Sequence, residues 1–299
     1  MISIFLDSGA YSVVEQGVSI DLDKYITLIK KYEKYIDGYA NLDTSDGEES
    51  YQNWLYIRSF GLNPIPVYHI NGYDIKYLYK YMEMTDYIAI GTIADVALPT
   101  RMRTLDYLWA QHLVDKEGYP KVKVHGFGLT SIELITRYPW FSLDSTSWVL
   151  ASSYGFIFVP KFDVYSNTYI YRKRPYFVTL STRSKAQHHT GKHFNTFSPL
   201  EQNHILKYIE GKGFKIGKSE HIKVDKNYKL QEGESWFEKG LWVEKIIESG
   251  LCNNNKIRED INISFFLDVE EAIPEWPWPF KMGKMESRRL GLNPFTIVK

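Results

Sequence analysis

The sequence predicts an α/β protein whose first half is built from repeated βα units. The expected form is a (β/α)8 TIM-like barrel, irregular or incomplete, with a basic C-terminal α+β extension. Three observations lead there. Short apolar runs recur through residues 1–150 at spacings of roughly 20 to 35 residues with helical patterns between them, as parallel strands joined by crossover helices require. Each run stops at a carboxylate, a histidine or a glycine, where a (β/α) barrel places its active-site loops. After Ser152 the pattern changes, and so does the charge. Residues 1–150 hold 13 Lys/Arg against 19 Asp/Glu, whereas residues 151–299 hold 23 against 17. Two regions follow: 1–152 as the catalytic barrel portion, and 153–299 as a basic region that completes or flanks it and contacts nucleic acid.

Taken in order, Ile2 to Leu6 is the first strand and ends in Asp7-Ser8-Gly9-Ala10-Tyr11. Leu22, Tyr25, Ile26, Ile29, Tyr32 and Ile36 then fall at helical spacing. A second strand, Gly38 to Leu42, ends at Asp43, and Ser50 is expected to cap the helix that runs to Phe60. Pro64 to Tyr68 is the third strand, closed by His69, with Tyr77, Leu78 and Tyr81 marking the next helix. Tyr87 to Ile90 ends at Gly91-Thr92, and a long helix carries Leu105, Leu108, Trp109, His112 and Leu113 on one side. Val122 to Val124 leads into His125-Gly126-Phe127-Gly128. Trp140 to Leu143 is the sixth strand and delivers Asp144. In the second region Gly155–Phe162 and Tyr169–Pro175 read as a hairpin and Tyr176–Leu180 as a strand. Pro199–Ile209 and Trp236–Ile247 read as helices, and Ile261–Leu267 reads as a strand. Prolines at alternate positions in Glu275–Phe280 exclude regular structure there.

Composition narrows the classes. A single cysteine, Cys252, rules out a disulfide framework and a multi-thiolate zinc site, which points to an intracellular protein. No stretch approaches the ~20 apolar residues that span a bilayer. The opening apolar run meets Asp7 too early for a secretory leader. An aromatic content of 16% suits stacking on planar ligands as well as packing.

The strand ends supply three carboxylates (Asp7, Asp43 and Asp144), two histidines (His69 and His125) and a glycine turn at Gly91. Carboxylates serve as covalent nucleophiles at a sugar carbon and as proton carriers. Read alone, Asp144 before a Ser-Thr pair also fits a helix N-cap. Asp7, Asp43, His69 and His125 also fit a mononuclear metal site, a rival reading that nothing in their spacing demands.

The order of these motifs resembles the tRNA-guanine transglycosylases. Asp7-Ser8-Gly9-Ala10-Tyr11 is similar to that family's Asp-Ser-Gly-Gly-Tyr/Phe motif, and Asp43 stands where it has a base-reading aspartate. His69 takes the place of a base-contacting glutamine. Ala89-Ile90-Gly91-Thr92-Ile93-Ala94 resembles the glycine-rich base-contact strand, His125-Gly126-Phe127-Gly128 the Met/Leu-Gly-Val-Gly segment, and Phe141-Ser142-Leu143-Asp144 the strand of the nucleophile. The family's zinc site, three Cys and one His, has no counterpart around Cys252. The closer resemblance is to the zinc-less DpdA-type DNA 7-deazaguanine transglycosylases of phages and bacteria, over residues 2–150. That resemblance implies base exchange with no cofactor and no metal. Guanine in DNA is replaced by a free 7-deazaguanine base (preQ0-like), with tRNA as the alternative substrate. It also implies roles: Asp144 as nucleophile, Asp7 as proton carrier, Tyr11 as a stacking ring, and Ser8, Gly9, Asp43, His69, Gly91, Thr92, His125 and Gly126 around the base. A non-catalytic nucleic-acid-binding barrel is the alternative of another class.

The second half adds a basic block. Residues 156–229 hold 14 basic and 5 acidic side chains. Arg172, Lys173, Arg174, Arg183, Lys185 and Lys192 are interleaved with Tyr171, Tyr176 and Phe177. Such a stretch suits phosphates, and equally an ordinary solvated face.

Overall fold

The computed structural model describes residues 4–10, 19–70, 72–91, 97–183 and 191–282. They fall into two compact units. The first comprises the described residues up to Thr130, Arg137–Ser145 and those from Glu275 onward; the second comprises Ser131–Thr136 and Thr146–Pro274. No described helix is long and apolar enough to cross a membrane.

Six parallel strands follow one another through the first unit in chain order. They are β1 (Phe5–Leu6), β2 (Gly38–Tyr39), β3 (Val67–His69), β4 (Tyr87–Gly91), β5 (Lys123–Gly126) and β6 (Ser142–Leu143). β1 pairs with β2, and β3 to β6 form one sheet. A parallel bridge between Ala40 and Ile65 joins the two pieces. Asn41 N–H donates to the Ile65 carbonyl at 2.9 Å, and Ile65 N–H donates to the Tyr39 carbonyl at 2.8 Å.

The sheet curls strongly. Phe5 of β1 stacks on His125 of β5 with ring centroids 4.7 Å apart. In a flat sheet, four strand steps of about 4.8 Å would separate them by about 19 Å. Ala40, Ile65, Val67 and Ala89, with Phe5, Tyr87 and Phe127 packed against them, fill the concave side. Among the described residues the strands do not close into a ring. The next strand after β6 runs antiparallel to its partner, so of the expected barrel the described residues show a mixed α/β fold with a four-stranded parallel sheet and the bridged β1–β2 pair.

Between the strands run α1 (Leu22–Tyr32), α2 (Gly47–Ser59), α3 (Ile75–Met84) and α4 (Leu98–Leu108). The first three begin at aspartates, Asp21, Asp46 and Asp74, whose carboxylates accept first-turn N–H groups. The cap of α2 is thus Asp46 and not Ser50. Ser50 lies inside the first turn, where its hydroxyl accepts from Thr44 N–H at 2.8 Å. The α1 residues Tyr25, Ile26 and Ile29 are buried, and Tyr25 OH donates to the Ala40 carbonyl at 2.7 Å, fastening helix to strand. Asn41 is fully buried and fills the seam between β2 and β3, its Oδ1 accepting from Val67 N–H at 2.7 Å. The proline-rich segment has no regular structure, and Trp276 packs edge-on against Phe141 of the same unit.

The second unit contains α5 (Ile132–Ile135), α6 (Ser147–Ser153), α7 (Pro199–Gly211) and α8 (Asn255–Ala272). Its strands are β7 (Phe156–Val159), β8 (Lys161–Asp163), β9 (Thr168–Ile170), β10 (Tyr176–Thr179), β11 (Lys218–Lys223), β12 (Glu234–Glu238) and β13 (Trp242–Glu248). β7 pairs with β10, β8 pairs with β9, and β11-β13-β12 is an antiparallel meander. The Gly155–Phe162 and Tyr169–Pro175 runs pair only through their inner parts, β8 and β9.

Two expectations are overturned. Trp236–Ile247 is not a helix but the hairpin of β12 and β13, because Gly240, at φ 76°, sits mid-run in the left-handed region and turns the chain. Ile261–Leu267 is not a strand but the middle of α8. Asn254 caps that helix through two N–H groups, and Ile261, Phe265 and Val269 repeat every fourth residue on its buried face. Asn262 is buried on the same helix. Its buried amide accepts from Phe158 N–H at 2.9 Å and donates to Ser152 Oγ at 3.1 Å, so it belongs to the core face.

Asn41→Ala should cost about 1 to 3 kcal/mol in urea unfolding, since it leaves the buried Val67 N–H without an acceptor. A midpoint equal to the parent's would show that the seam does not depend on this side chain.

Candidate active site

Every strand-end residue singled out from the sequence and described here lies in the first unit, at the C-terminal ends of β1 to β6. Tyr11 and Thr92 lie outside the described residues.

One cluster forms around Asp43. Its Oδ1 accepts from Ser8 Oγ–H at 3.1 Å, and its Oδ2 lies 2.6 Å from His69 Nε2. Ser8, itself buried, also accepts from Ala10 N–H at 3.2 Å, holding a turn in which Gly9 takes φ 76°. Gly91 makes room for the histidine: a Cβ there would lie 2.8 Å from His69 Cε1. The Tyr73 ring meets His69 edge-on at 4.9 Å, and its hydroxyl donates to the Thr44 carbonyl. With 12% of its side chain exposed, Asp43 is a nearly enclosed, ordered acceptor. A ligand can use only the lone pairs that Ser8 and His69 leave.

The second cluster forms around Asp144, which is 44% exposed at its side chain. Its Oδ1 accepts from Gly128 N–H at 2.8 Å, and its own carbonyl accepts from Leu129 N–H at 3.1 Å. The helix-cap reading of Asp144 does not hold. The N-cap of α6 is Thr146, and the Asp144 carboxylate is spent on the β5–α5 loop instead. His125 Nε2 lies 3.7 Å from Asp144 Oδ1, and His125 Nδ1 lies 2.6 Å from Ser142 Oγ. Gly126 is a packing position, since the direction of a Cβ is filled by Leu129 and Leu143.

Asp7 connects the clusters electrostatically. Its side chain reaches solvent, yet protein atoms crowd the carboxyl enough to push its pKa up. The negative charges of Asp43 and Asp144 push the same way, against hydrogen bonds from Ser8 and Gly9 N–H. Three carboxylates therefore share one region, and the pKa of one of them, Asp7, is raised there.

Ser142 and Tyr87 belong to this site as well, although the sequence reading passed over both. Tyr87 OH and Ser142 Oγ are 2.6 Å apart. A serine inside the apolar run Trp140-Phe141-Ser142-Leu143 was the available signal. Among the described residues no group of three or more His, Cys, Asp or Glu is arranged to hold a metal ion. No family model, curated protein or solved structure matches the chain.

The basic residues lie in the second unit. Arg172, Lys173 and Arg174 are exposed in the turn between β9 and β10, with Arg172 Nε donating to the Ala272 carbonyl at 2.7 Å. Lys192 is also exposed. Arg183 does not offer a free charge: it is paired with the buried carboxylate of Glu244 and donates to Ser235. Lys185 lies outside the described residues.

By carboxyl NMR, Asp7 should titrate above the usual aspartate value of 3.8, and Asp144→Asn should bring it down by removing a like charge. Because the folded-state pKa is raised, ionising Asp7 opposes folding as pH rises from the unfolded value through the folded one. Asp7→Asn should therefore raise the unfolding midpoint at neutral pH, with the gain vanishing below the unfolded value. A folded Asp7 titrating at or below 3.8 would contradict both expectations.

Proposed function

We propose that the protein is a base-exchange transglycosylase that replaces guanine in DNA with a free 7-deazaguanine through a covalent Asp144–sugar intermediate. The observation that carries this reading is the gathering of Asp7, Asp43 and Asp144 within electrostatic reach of one another at the ends of β1, β2 and β6, with the pKa of Asp7 pushed up. The order of the strand-end motifs supports it, and so does the curled, sequentially ordered parallel sheet. We infer from the same order that the first unit derives from a (β/α)8 barrel. An intracellular setting suits such chemistry.

The target nucleotide must leave its stack before C1′ can be reached. Asp144 attacks C1′ as the C1′–N9 bond breaks, and guanine departs with the bonding electrons while taking a proton from Asp7. The incoming 7-deazaguanine then gives its N9 proton to the Asp7 carboxylate and attacks C1′, releasing Asp144. Two displacements at one carbon restore the original configuration. A raised pKa is what a group needs to act as acid in the first step near neutral pH. Asp43, ordered by Ser8 and His69, is the acceptor for the N–H edge of the base. The exposed Arg172, Lys173 and Arg174 contact phosphates.

Nucleoside analysis of DNA and of tRNA after incubation with the protein and 7-cyano-7-deazaguanine should show the modified nucleoside in DNA. Its appearance only in tRNA would move the substrate, and its absence from both would remove the reading. Asp144→Asn should abolish exchange, whereas Asp7→Asn should lower it by about 100-fold or more, the usual scale for a lost acid–base group. Neutralising Arg172, Lys173 and Arg174 together should reduce the log–log salt slope of DNA binding by roughly 2 to 3, at about 0.7 to 0.9 per phosphate contact. An unchanged slope would return this turn to an ordinary solvated face.

A further inference from the structure

Asp144 has one oxygen already engaged and one without a hydrogen bond among the described residues, and a line of polar groups stands behind the engaged one. Tyr87 OH lies 2.6 Å from Ser142 Oγ, Ser142 Oγ lies 2.6 Å from His125 Nδ1, and His125 Nε2 lies 3.7 Å from Asp144 Oδ1. We propose that Tyr87, Ser142 and His125 form a polarised hydrogen-bond chain that holds Asp144 by Oδ1 and presents Oδ2 as the attacking oxygen, with His125 as the positioning residue. The geometry of the chain stands by itself; the attack it serves rests on the transglycosylase reading.

Proton counting fixes the direction of the chain. If Tyr87 donates to Ser142 and Ser142 donates to His125 Nδ1, every hydroxyl proton has an acceptor, and the ring proton sits on Nε2 facing a carboxylate. In the reverse sense the Tyr87 proton has no acceptor among the described residues, and the Nε2 lone pair faces the negative Oδ1. The second arrangement is repulsive at its end and wasteful at its start. Nε2 is buried without a hydrogen-bond partner, on a side chain only 2% exposed, so an unfavourable tautomer would carry its full cost.

The ring has little freedom to escape this role. Phe5 stacks on one face at 4.7 Å and Phe127 meets it edge-on at 4.5 Å. His125 and Ser142 are direct partners in the β5–β6 register, which places Ser142 two residues before the carboxylate that the chain serves. Gly128 N–H already binds Oδ1. A movement of about 1 Å closes the Nε2–Oδ1 gap, and such contacts commonly tighten once substrate is bound.

Two measurements on the full-length chain test this. In two-bond 1H–15N spectra of histidine-labelled protein, assigned with His125→Phe, His125 should carry its ring proton on Nε2. Ser142→Ala should move it toward Nδ1–H. In exchange assays with a guanine-containing DNA oligonucleotide and 7-cyano-7-deazaguanine, His125→Phe keeps the stacked ring but lacks the donor. Its kcat should fall about 10- to 100-fold, the usual cost of a lost orienting partner, while KM for DNA stays within about twofold. An Nδ1–H tautomer in the parent protein, or a parent-like kcat in both His125→Phe and Ser142→Ala, would overturn the proposal. If the tautomer responds as expected but the parent exchanges no base, the chain stands and the reaction class falls.

Discussion

The contact between Phe5 and His125 is the constraint on which the first unit depends. It joins side chains from strands four steps apart in the sheet and is possible only because the sheet curls. With the curl, the C-terminal ends of β1, β2 and β6 face a common region, and Asp7, Asp43 and Asp144 come within electrostatic reach of one another. In a flat sheet of the same six strands they would stand apart. Small residues on the concave side, Ala40 and Ala89, leave room for the aromatic rings that occupy it.

Gathering carboxylates opposes stability, and the surrounding structure offsets that with fixed donors. Asp43 takes Ser8 and His69, Asp144 takes Gly128 N–H, and Asp7 takes the N–H groups of Ser8 and Gly9. For Asp7 those donors do not outweigh the crowding of its carboxyl, and its pKa is pushed up. The second unit spends its charges differently. Arg258 is buried and donates to the Ser152 and Leu251 carbonyls at 2.8 and 2.6 Å, so part of its basic character is structural.

Much of the site was legible because strand ends announce themselves. An apolar run broken by Asp, His or Gly located Asp7, His69, Gly91, His125 and Asp144 within a residue of their strands, and Asp43 four residues beyond its own. What was not legible depends on partners distant in the chain. Asn41 matters because Val67 needs an acceptor, and Ser142 matters because Tyr87, 55 residues earlier, lies opposite it. Arg183 read as a free cation because Glu244, 61 residues on, is invisible at short range. In the second unit, short-range periodicity failed wherever one residue set the outcome: Gly240 by its backbone conformation, and Asn262 by pairing into the core.

The central claim is that Asp144 becomes bonded to the sugar. Mixing the protein with a guanine-containing DNA oligonucleotide, quenching by denaturation, digesting, and mapping the attachment by tandem mass spectrometry tests it directly. The account predicts a deoxyribose-linked peptide with the modification on Asp144, lost when 7-cyano-7-deazaguanine is added before the quench. Attachment at another residue, or base exchange that persists in Asp144→Ala, would contradict it.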